Sequence, residues 1–410
     1  MKYEDAVRFL YSLGNELKPG KFDLGRIRVL LSALGNPHLL GRIVHVAGTN
    51  GKGSTCAMIE SGLRAAGFRT GLYTSPHLAE PTERIQIAGQ PISQEQFAQA
   101  FVQVHEEAEA LIATGDLDQH PSYFETVTAM AFVTQAPVCE WTVVEVGLGG
   151  RLDATNVVEP QLCVITPVDF DHEAWLGHKI EAIAFEKAGI LKPRVRAVIT
   201  PQRLEVEAII RQRADEVEAP LIDAGEWPVQ NAVSDRHGSR FELGNLSIHC
   251  PLAGEHQVEN ARTAAVALQA IGVPKQAIES GIAAARWPGR LERIATNPEV
   301  IIDGAHNPSG ARALAAYIDR FYAGEPLTLI YGAMRDKAVE EVAGTLFPRF
   351  AEVIVTAPQQ ARALAPESLL ELVDHPNIRT VPDLRTAMSQ AHQTTFVTGS
   401  LFLVAEARGL

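Results

Sequence analysis

The sequence predicts a two-domain α/β protein. A larger N-terminal domain is built on a mostly parallel sheet with a small antiparallel patch, and a smaller α/β domain follows it. Three observations carry this prediction. Short β-branched runs alternate with helical patterns along nearly the whole chain, as expected for strands joined by crossover helices. The alternation breaks at Trp287-Pro288-Gly289-Arg290 and then starts afresh. And 410 residues exceed what one hydrophobic core usually holds.

Taken in order, residues 3–13 and 24–34 read as two amphipathic helices ahead of the first strand, IVHVA (43–47). That strand feeds a Gly-rich turn, and a helix over 54–66 closes at Gly67. The apolar runs TGLYT (70–74), WTVVEV (141–146), LCVIT (162–166) and RAVIT (196–200) continue the parallel series. Residues 227–253 hold shorter, partly alternating pieces and form the antiparallel patch. Helices over about 257–271 and 275–285 complete a domain of residues 1–286, with 287–292 as linker. Over 293–410 a second series, EVIID (299–303), LTLIYG (327–332), EVIVTA (352–357), IRTV (378–381) and TTFVTG (394–399), gives a Rossmann-like C-terminal domain.

The strand–turn–helix of VHVAGTNGKGSTC (44–56) is the context of a phosphate-binding loop, so the first domain is a P-loop domain. Free N–H groups at the helix start and the Lys52 ammonium would surround a nucleotide's phosphates. The strict form G-x-x-x-x-G-K-[ST] is not met. Val46 holds the first glycine position and Gly53 follows Lys52, with hydroxyls only at Ser54 and Thr55.

In open parallel sheets ligands sit at the carboxyl ends of strands, and several polar residues fall there. Glu145 closes WTVVEV, an arrangement suited to Mg²⁺ on a nucleotide; an acid paired with an arginine is the competing reading. His172, in Asp169-Phe170-Asp171-His172, is either a second metal ligand or a structural histidine. Ser75 offers a hard oxygen to a metal or simply turns the chain before Pro76. Lys187, on a helix ending at Gly189, reads from composition alone as a solvated lysine. Asp303 and His306, three apart at a strand end, mark a site edge, although Asn307 and Ser309 also suit a helix cap.

Composition narrows the partners. A net charge of −13 argues against nonspecific nucleic-acid or membrane-surface binding, so an anionic substrate needs a local basic lining. The four cysteines form no CxxC pair and three lie in apolar stretches, which points to reduced thiols in a cytoplasmic protein. Neither a signal-length apolar run nor a stretch of about 18 apolar residues is present.

Together these motifs resemble the folylpolyglutamate synthases, in particular the bacterial enzymes that are also dihydrofolate synthases, within the wider Mur ligase family. The resemblance runs through GTNGKGS (48–54), YTSPHL (73–78), ERIQI (83–87), SYFETVT (122–128) and EVGLGGRLDATN (145–156). It continues in DHEAWLG (171–177), EKAGILKP (186–193), GEHQVENARTA (254–264), WPGRLE (287–292), DGAHNP (303–308) and TGSLFLVAE (398–406). It implies an ATP-dependent ligase that adds L-glutamate to dihydropteroate, to folyl(poly)glutamates, or to both. An acyl phosphate would be the intermediate, ADP and phosphate the by-products, and the enzyme a monomer with small-molecule partners alone.

Roles follow by resemblance. Gly51, Lys52, Gly53 and Ser54 would hold the ATP phosphates, with Asn260, Arg290 and Asp303 also on ATP. Ser75, Glu145 and His172 match ligands of two Mg²⁺ sites, and Lys187 matches a lysine carbamylated by CO₂. Phe124, Glu125 and the Asp153-Ala154-Thr155 turn correspond to the pterin region, and His306 and Ser400 to the glutamate side. Thr126 and Phe402 depart from the family pattern, which bears on the choice of pteroyl substrate. A cell-wall Mur ligase is the nearest rival, but those enzymes usually place a hydroxyl directly after the loop lysine. A GTP switch would need an N-K-x-D segment, which the chain lacks.

Overall fold

The computed structural model describes residues 1–14, 23–335 and 338–410. They divide into two compact units. Unit 1 comprises Met1–Val229, Leu243–Ile248 and Asn260–Ala285; unit 2 comprises Gln230–Glu242, His249–Glu259 and Arg286–Leu410. The chain thus changes unit for the last time at residue 286, next to the Trp-Pro-Gly-Arg break. Two segments upstream of that break also pack with unit 2.

Unit 1 is built on strands β1 (Arg42–Ala47), β2 (Thr70–Tyr73), β3 (Ile85–Ile87), β4 (Gln90–Pro91), β5 (Trp141–Glu145), β6 (Leu162–Ile165), β7 (Ala197–Ile199) and β8 (Leu221–Asp223). They form one sheet in the order β4-β3-β2-β5-β1-β6-β7-β8. From β2 to β8 all neighbours are parallel; β3 and β4 add an antiparallel edge. Every residue of β5 and all but the first of β1 are buried, because helices cover both faces. The chain runs outward from β1 to β2 and β5, then crosses to β6 on the other side. The carboxyl end of β1 is therefore a switch point, where open α/β sheets bind ligands.

On one face the N-terminal helices Tyr3–Ser12 and Gly25–Ala33 bury Leu10, Ile27, Leu30 and Leu31 with Phe97 and Phe101 of helix Gln94–Thr114 and Met130 of helix Tyr123–Gln135. On another, helix Ile180–Ala188 and helix Leu204–Glu216 pack Ile183, Val206 and Ile210 against Cys163 and Ile165 of β6. Helix Lys52–Ala65 is buried from Ser54 through Leu63, and its Ser61 hydroxyl donates to Gly281 O at 2.7 Å, tying it to helix Lys275–Ala284.

A three-stranded sheet follows, ordered β11 (Leu246–Cys250), β10 (Gly238–Leu243), β9 (Val229–Asp235), where the sequence predicts the antiparallel patch. Unit 2 has a second sheet of β12 (Glu292–Thr296), β13 (Glu299–Ile302), β14 (Leu327–Tyr331), β15 (Glu352–Val355), β16 (Ile378–Thr380) and β17 (Thr394–Thr398). Its order is β12-β13-β17-β14-β15-β16, parallel except for the β12–β13 edge. Tyr317, Tyr322, Phe347 and Phe396 fill its core.

Two details differ from the sequence expectation. Strands β3, β4, β8 and β12 were not foreseen; they lie at or next to sheet edges, where short pieces carry little periodic signal. The helix after the Gly-rich turn starts at Lys52 rather than at residue 54, because Gly51 at φ +80° takes the cap position. Lys52 is thus itself the first helical residue.

Candidate active site

The Gly-rich turn is held by the strand beyond it. Thr49 N and Asn50 N donate to Pro167 O at 2.8 and 3.3 Å. The Thr49 hydroxyl donates to Asp169 O at 2.8 Å and accepts from Asp169 N at 3.0 Å. The turn after β1 and the segment after β6 are therefore one hydrogen-bonded piece. Gly51 is required by its left-handed φ, and a Cβ there would lie 2.3 Å from Asn260 Oδ1. The cap residue Gly51 has no side chain to cap the helix that follows, and a helix start of this kind suits an anion. Lys52 curls back over the turn and donates from Nζ to Thr49 O at 3.1 Å.

The neighbouring strand ends converge on this turn. Glu145, last residue of β5, pairs in register with Val46 of β1 and is buried. Its Oε2 accepts from Ser75 N at 3.2 Å, which brings together a carboxylate and a hydroxyl residue from adjacent strands. Lys187 is also buried and donates from Nζ to Gly48 O at 2.8 Å. Burial, reinforced by the charge of Lys52, lowers its pKa to about 7, against the opposing pull of Asp171, Asp153 and Glu186. The solvated-lysine reading of composition fails here, because helix Ile180–Ala188 turns this side chain into the loop. His172 sits at φ +53° ahead of the short helix Glu173–Leu176; its N–H donates to Asp171 Oδ1 at 2.8 Å and its ring nitrogen lies 4.0 Å from Asp171 Oδ2.

Beside these groups lies the region expected to bind a pterin. A Cβ on Gly147 would fall 2.4 Å from the Phe124 ring, so the chain leaving β5 needs glycine to pass under that ring. Ser122 and Glu125 form a reciprocal capping box at the start of helix Tyr123–Gln135. Arg26 Nε donates to both Glu125 oxygens at 3.0 and 3.2 Å. Asp153 accepts from Thr155 N at 3.0 Å and from Leu148 N at 2.8 Å, while burial pushes its carboxyl above the ordinary range. Thr155 in turn meets His45 Nε2 at 2.9 Å; burial takes His45 down to about 3 and keeps it neutral. Ala154 is buried in the same turn.

Sequence reasoning missed Arg26 and His45. Arg26 lies 99 residues from its partner on a helix with no motif, so nothing marked it. His45 did carry a signal: a polar residue inside an otherwise β-branched strand.

In unit 2, Asp303 follows β13 and is buried. Its carboxylate accepts from Leu291 N at 3.0 Å and Ala305 N at 2.9 Å. Burial raises its pKa; the nearby Arg290 and these N–H donors oppose the rise. Arg290 donates to Gly289 O at 3.0 Å. His306 Nδ1 lies 2.7 Å from Gly304 O, and Thr398 and Gly399, at the end of β17, both donate to Ala305 O. Ser400 caps helix Leu401–Arg408, accepting from Phe402 N at 3.2 Å. Because β13 and β17 are adjacent, His306 and Ser400 share one edge of the unit.

A Gly-rich turn at a sheet switch point, with two lysines, a buried acid and a neighbouring hydroxyl, defines a P-loop nucleotide-dependent enzyme. The model of the Mur ligase middle domain matches residues 46–268, and that of the Mur ligase glutamate ligase domain matches residues 289–407. The dihydrofolate synthase/folylpolyglutamate synthase of Bacillus subtilis is 39% identical over 83% of this chain and 81% of its own length. The corresponding Escherichia coli protein is 35% identical over 93% and 90%. Of a larger Haloferax volcanii relative, a probable bifunctional folylpolyglutamate synthase/dihydropteroate synthase, the chain spans 50%. A crystal structure of Mycobacterium tuberculosis folylpolyglutamate synthase complexed with ADP and AMPPCP superposes with a TM-score of 0.92 at 34% identity, covering 100% of this chain and 98% of that one. The chain belongs to the dihydrofolate synthase/folylpolyglutamate synthase branch of the Mur ligase family, whose members are ATP-dependent ligases.

Proposed function

We propose that this protein uses ATP to join L-glutamate to dihydropteroate, to folyl(poly)glutamates, or to both. The carboxylate would be phosphorylated by ATP, the glutamate α-amine would attack the acyl phosphate, and an amide, ADP and phosphate would leave. The observation that carries this reading is the convergence of Lys52, Lys187, Ser75 and Glu145 on the turn after β1. Phosphoryl transfer depends mainly on positioning and charge stabilisation, and this group supplies both.

Lys52 and the N–H groups of its helix would hold the phosphates, with Gly51, Gly53 and Ser54 shaping the turn and Asn260 packed on it. The Ser75 hydroxyl and Glu145 carboxylate are hard oxygen donors that fit one Mg²⁺; His172 and a carbamate on Lys187 would fit a second. Bound there, Mg²⁺ would neutralise charge between the γ-phosphate and the substrate carboxylate. Lys187 suits carbamylation because, with a pKa of about 7, it presents neutral amine near neutral pH. That amine would add to CO₂ and release a proton. Phe124, Glu125 and the Asp153–Thr155 turn would line the pterin side, and His306 and Ser400 would recognise glutamate.

No helix among the described residues is long and apolar enough to cross a membrane. We assign the protein to the cytoplasm as a monomer acting on small molecules. The test offers purified protein Mg-ATP and L-glutamate with dihydropteroate or tetrahydrofolate in separate reactions. ADP release with both substrates defines a dual enzyme, and with one of them a single activity. Release with neither substrate overturns the reading.

A further inference from the structure

Away from the nucleotide loop, two histidines and an acid meet on the outer surface of unit 1. His105 and Glu109 stand four apart on helix Gln94–Thr114, hence on one face. His120 follows that helix, just before the cap of helix Tyr123–Gln135. His105 Nδ1 and His120 Nε2 are 3.2 Å apart, and Glu109 Oε1 is 4.0 Å from His105 Nδ1. One ligand atom from each of the three residues lies within 4.8 Å of the others.

We propose that His105, Glu109 and His120 form a binding site for a divalent transition-metal cation of the Zn²⁺ class, separate from the proposed magnesium sites. Tetrahedral Zn²⁺ with bonds of roughly 2.0–2.1 Å places neighbouring ligand atoms about 3.3 Å apart, which the histidine pair already meets. Glu109 is more than half exposed, so a rotamer change closes the remaining gap.

The rings are also held in place. His120 Nδ1 lies 2.9 Å from Pro121 O, a contact that needs the proton on Nδ1 and leaves the Nε2 lone pair facing His105. Phe9 packs on both imidazoles, with centroids at 4.5 and 5.3 Å, and Phe101 stacks on His105 at 5.3 Å. Two nitrogens and one carboxylate oxygen, partly open to solvent, leave a fourth position for water. That donor set favours Zn²⁺ or Co²⁺ over Mg²⁺, which prefers oxygen ligands.

The test uses the full chain, stripped with chelator and then held in saturating Mg-ADP to fill the nucleotide site. Zn²⁺ is titrated calorimetrically, and Co²⁺ is followed by its visible d–d absorption. The wild type should bind one more ion per chain than the His105→Ala/His120→Ala double variant. Glu109→Gln, at an exposed position that leaves folding intact, should weaken this ion by at least the roughly 10-fold that loss of an outer-shell partner costs. Circular dichroism confirms that each variant is folded. Equal Zn²⁺ stoichiometry and affinity in the wild type and Glu109→Gln, or no tetrahedral Co²⁺ spectrum in the wild type, overturns the proposal.

Discussion

At the scale of single residues, the candidate site is marked by charges withdrawn from water. Glu145 and Lys187 are each about 5% exposed or less, and each is placed by a hydrogen bond to or from the backbone. Removing one well-placed electrostatic group commonly costs about 10²–10³ in rate. Lys52→Ala and Glu145→Ala should each lower ADP release by at least that factor while circular dichroism stays unchanged; near-normal turnover in Glu145→Ala would sink its assignment as a metal ligand. Lys187 also makes a statement about stability. Its pKa falls from 10.5 unfolded to about 7 folded, so between those values the unfolded chain binds the extra proton. Stability should therefore rise with pH across that window. In bicarbonate-free buffer, chemical denaturation of Lys187→Met should show a shallower rise from pH 7 to 10 than the wild type. Identical pH slopes would contradict the burial of this ammonium.

At the scale of elements, the helix Tyr123–Gln135 ties its own stability to the region proposed to bind the pterin. Its capping box uses Glu125, the same carboxylate that Arg26 clamps. Ser122→Ala removes the cap and one donor to Glu125, and should cost about 0.5–2 kcal/mol in thermal unfolding. It should also raise KM for the pterin substrate more than KM for ATP; equal effects on both would count against the pterin role. The regular elements were legible because buried parallel strands demand apolar runs, and β1, β5, β6 and β14 show them plainly. What sequence did not reveal was contact between distant elements. Arg26 reaching Glu125 and Lys187 reaching Gly48 depend on which helix packs on which face, and nothing local in either sequence segment records that. That Glu145 and Ser75 lie together was legible because strand ends share one side of a parallel sheet whatever the strand order.

At the scale of the whole molecule, two α/β units each carry their own core and their own sheet. Anything that binds only the folded state stabilises it by mass action. Mg-AMPPCP at 100 times its Kd should add about 2.7 kcal/mol, seen as a rise in Tm. The magnesium-dependent part of that rise should vanish in Glu145→Ala, and its persistence would place the cation elsewhere. The sequence reads the break at Trp287–Arg290 as punctuation between two α/β series, and the last change of unit, at residue 286, lies beside it. That residues 230–242 and 249–259 pack with unit 2 was not, since short alternating strands do not say which core they join.

Thr49 illustrates how far one hydroxyl reaches. By donating to Asp169 O and accepting from Asp169 N, it rivets the turn after β1 to the strip that leads to His172. Neither loop can drift without dragging the other. Loss of the Thr49 hydroxyl would therefore unsettle both loops at once, disturbing the setting of a histidine it never touches.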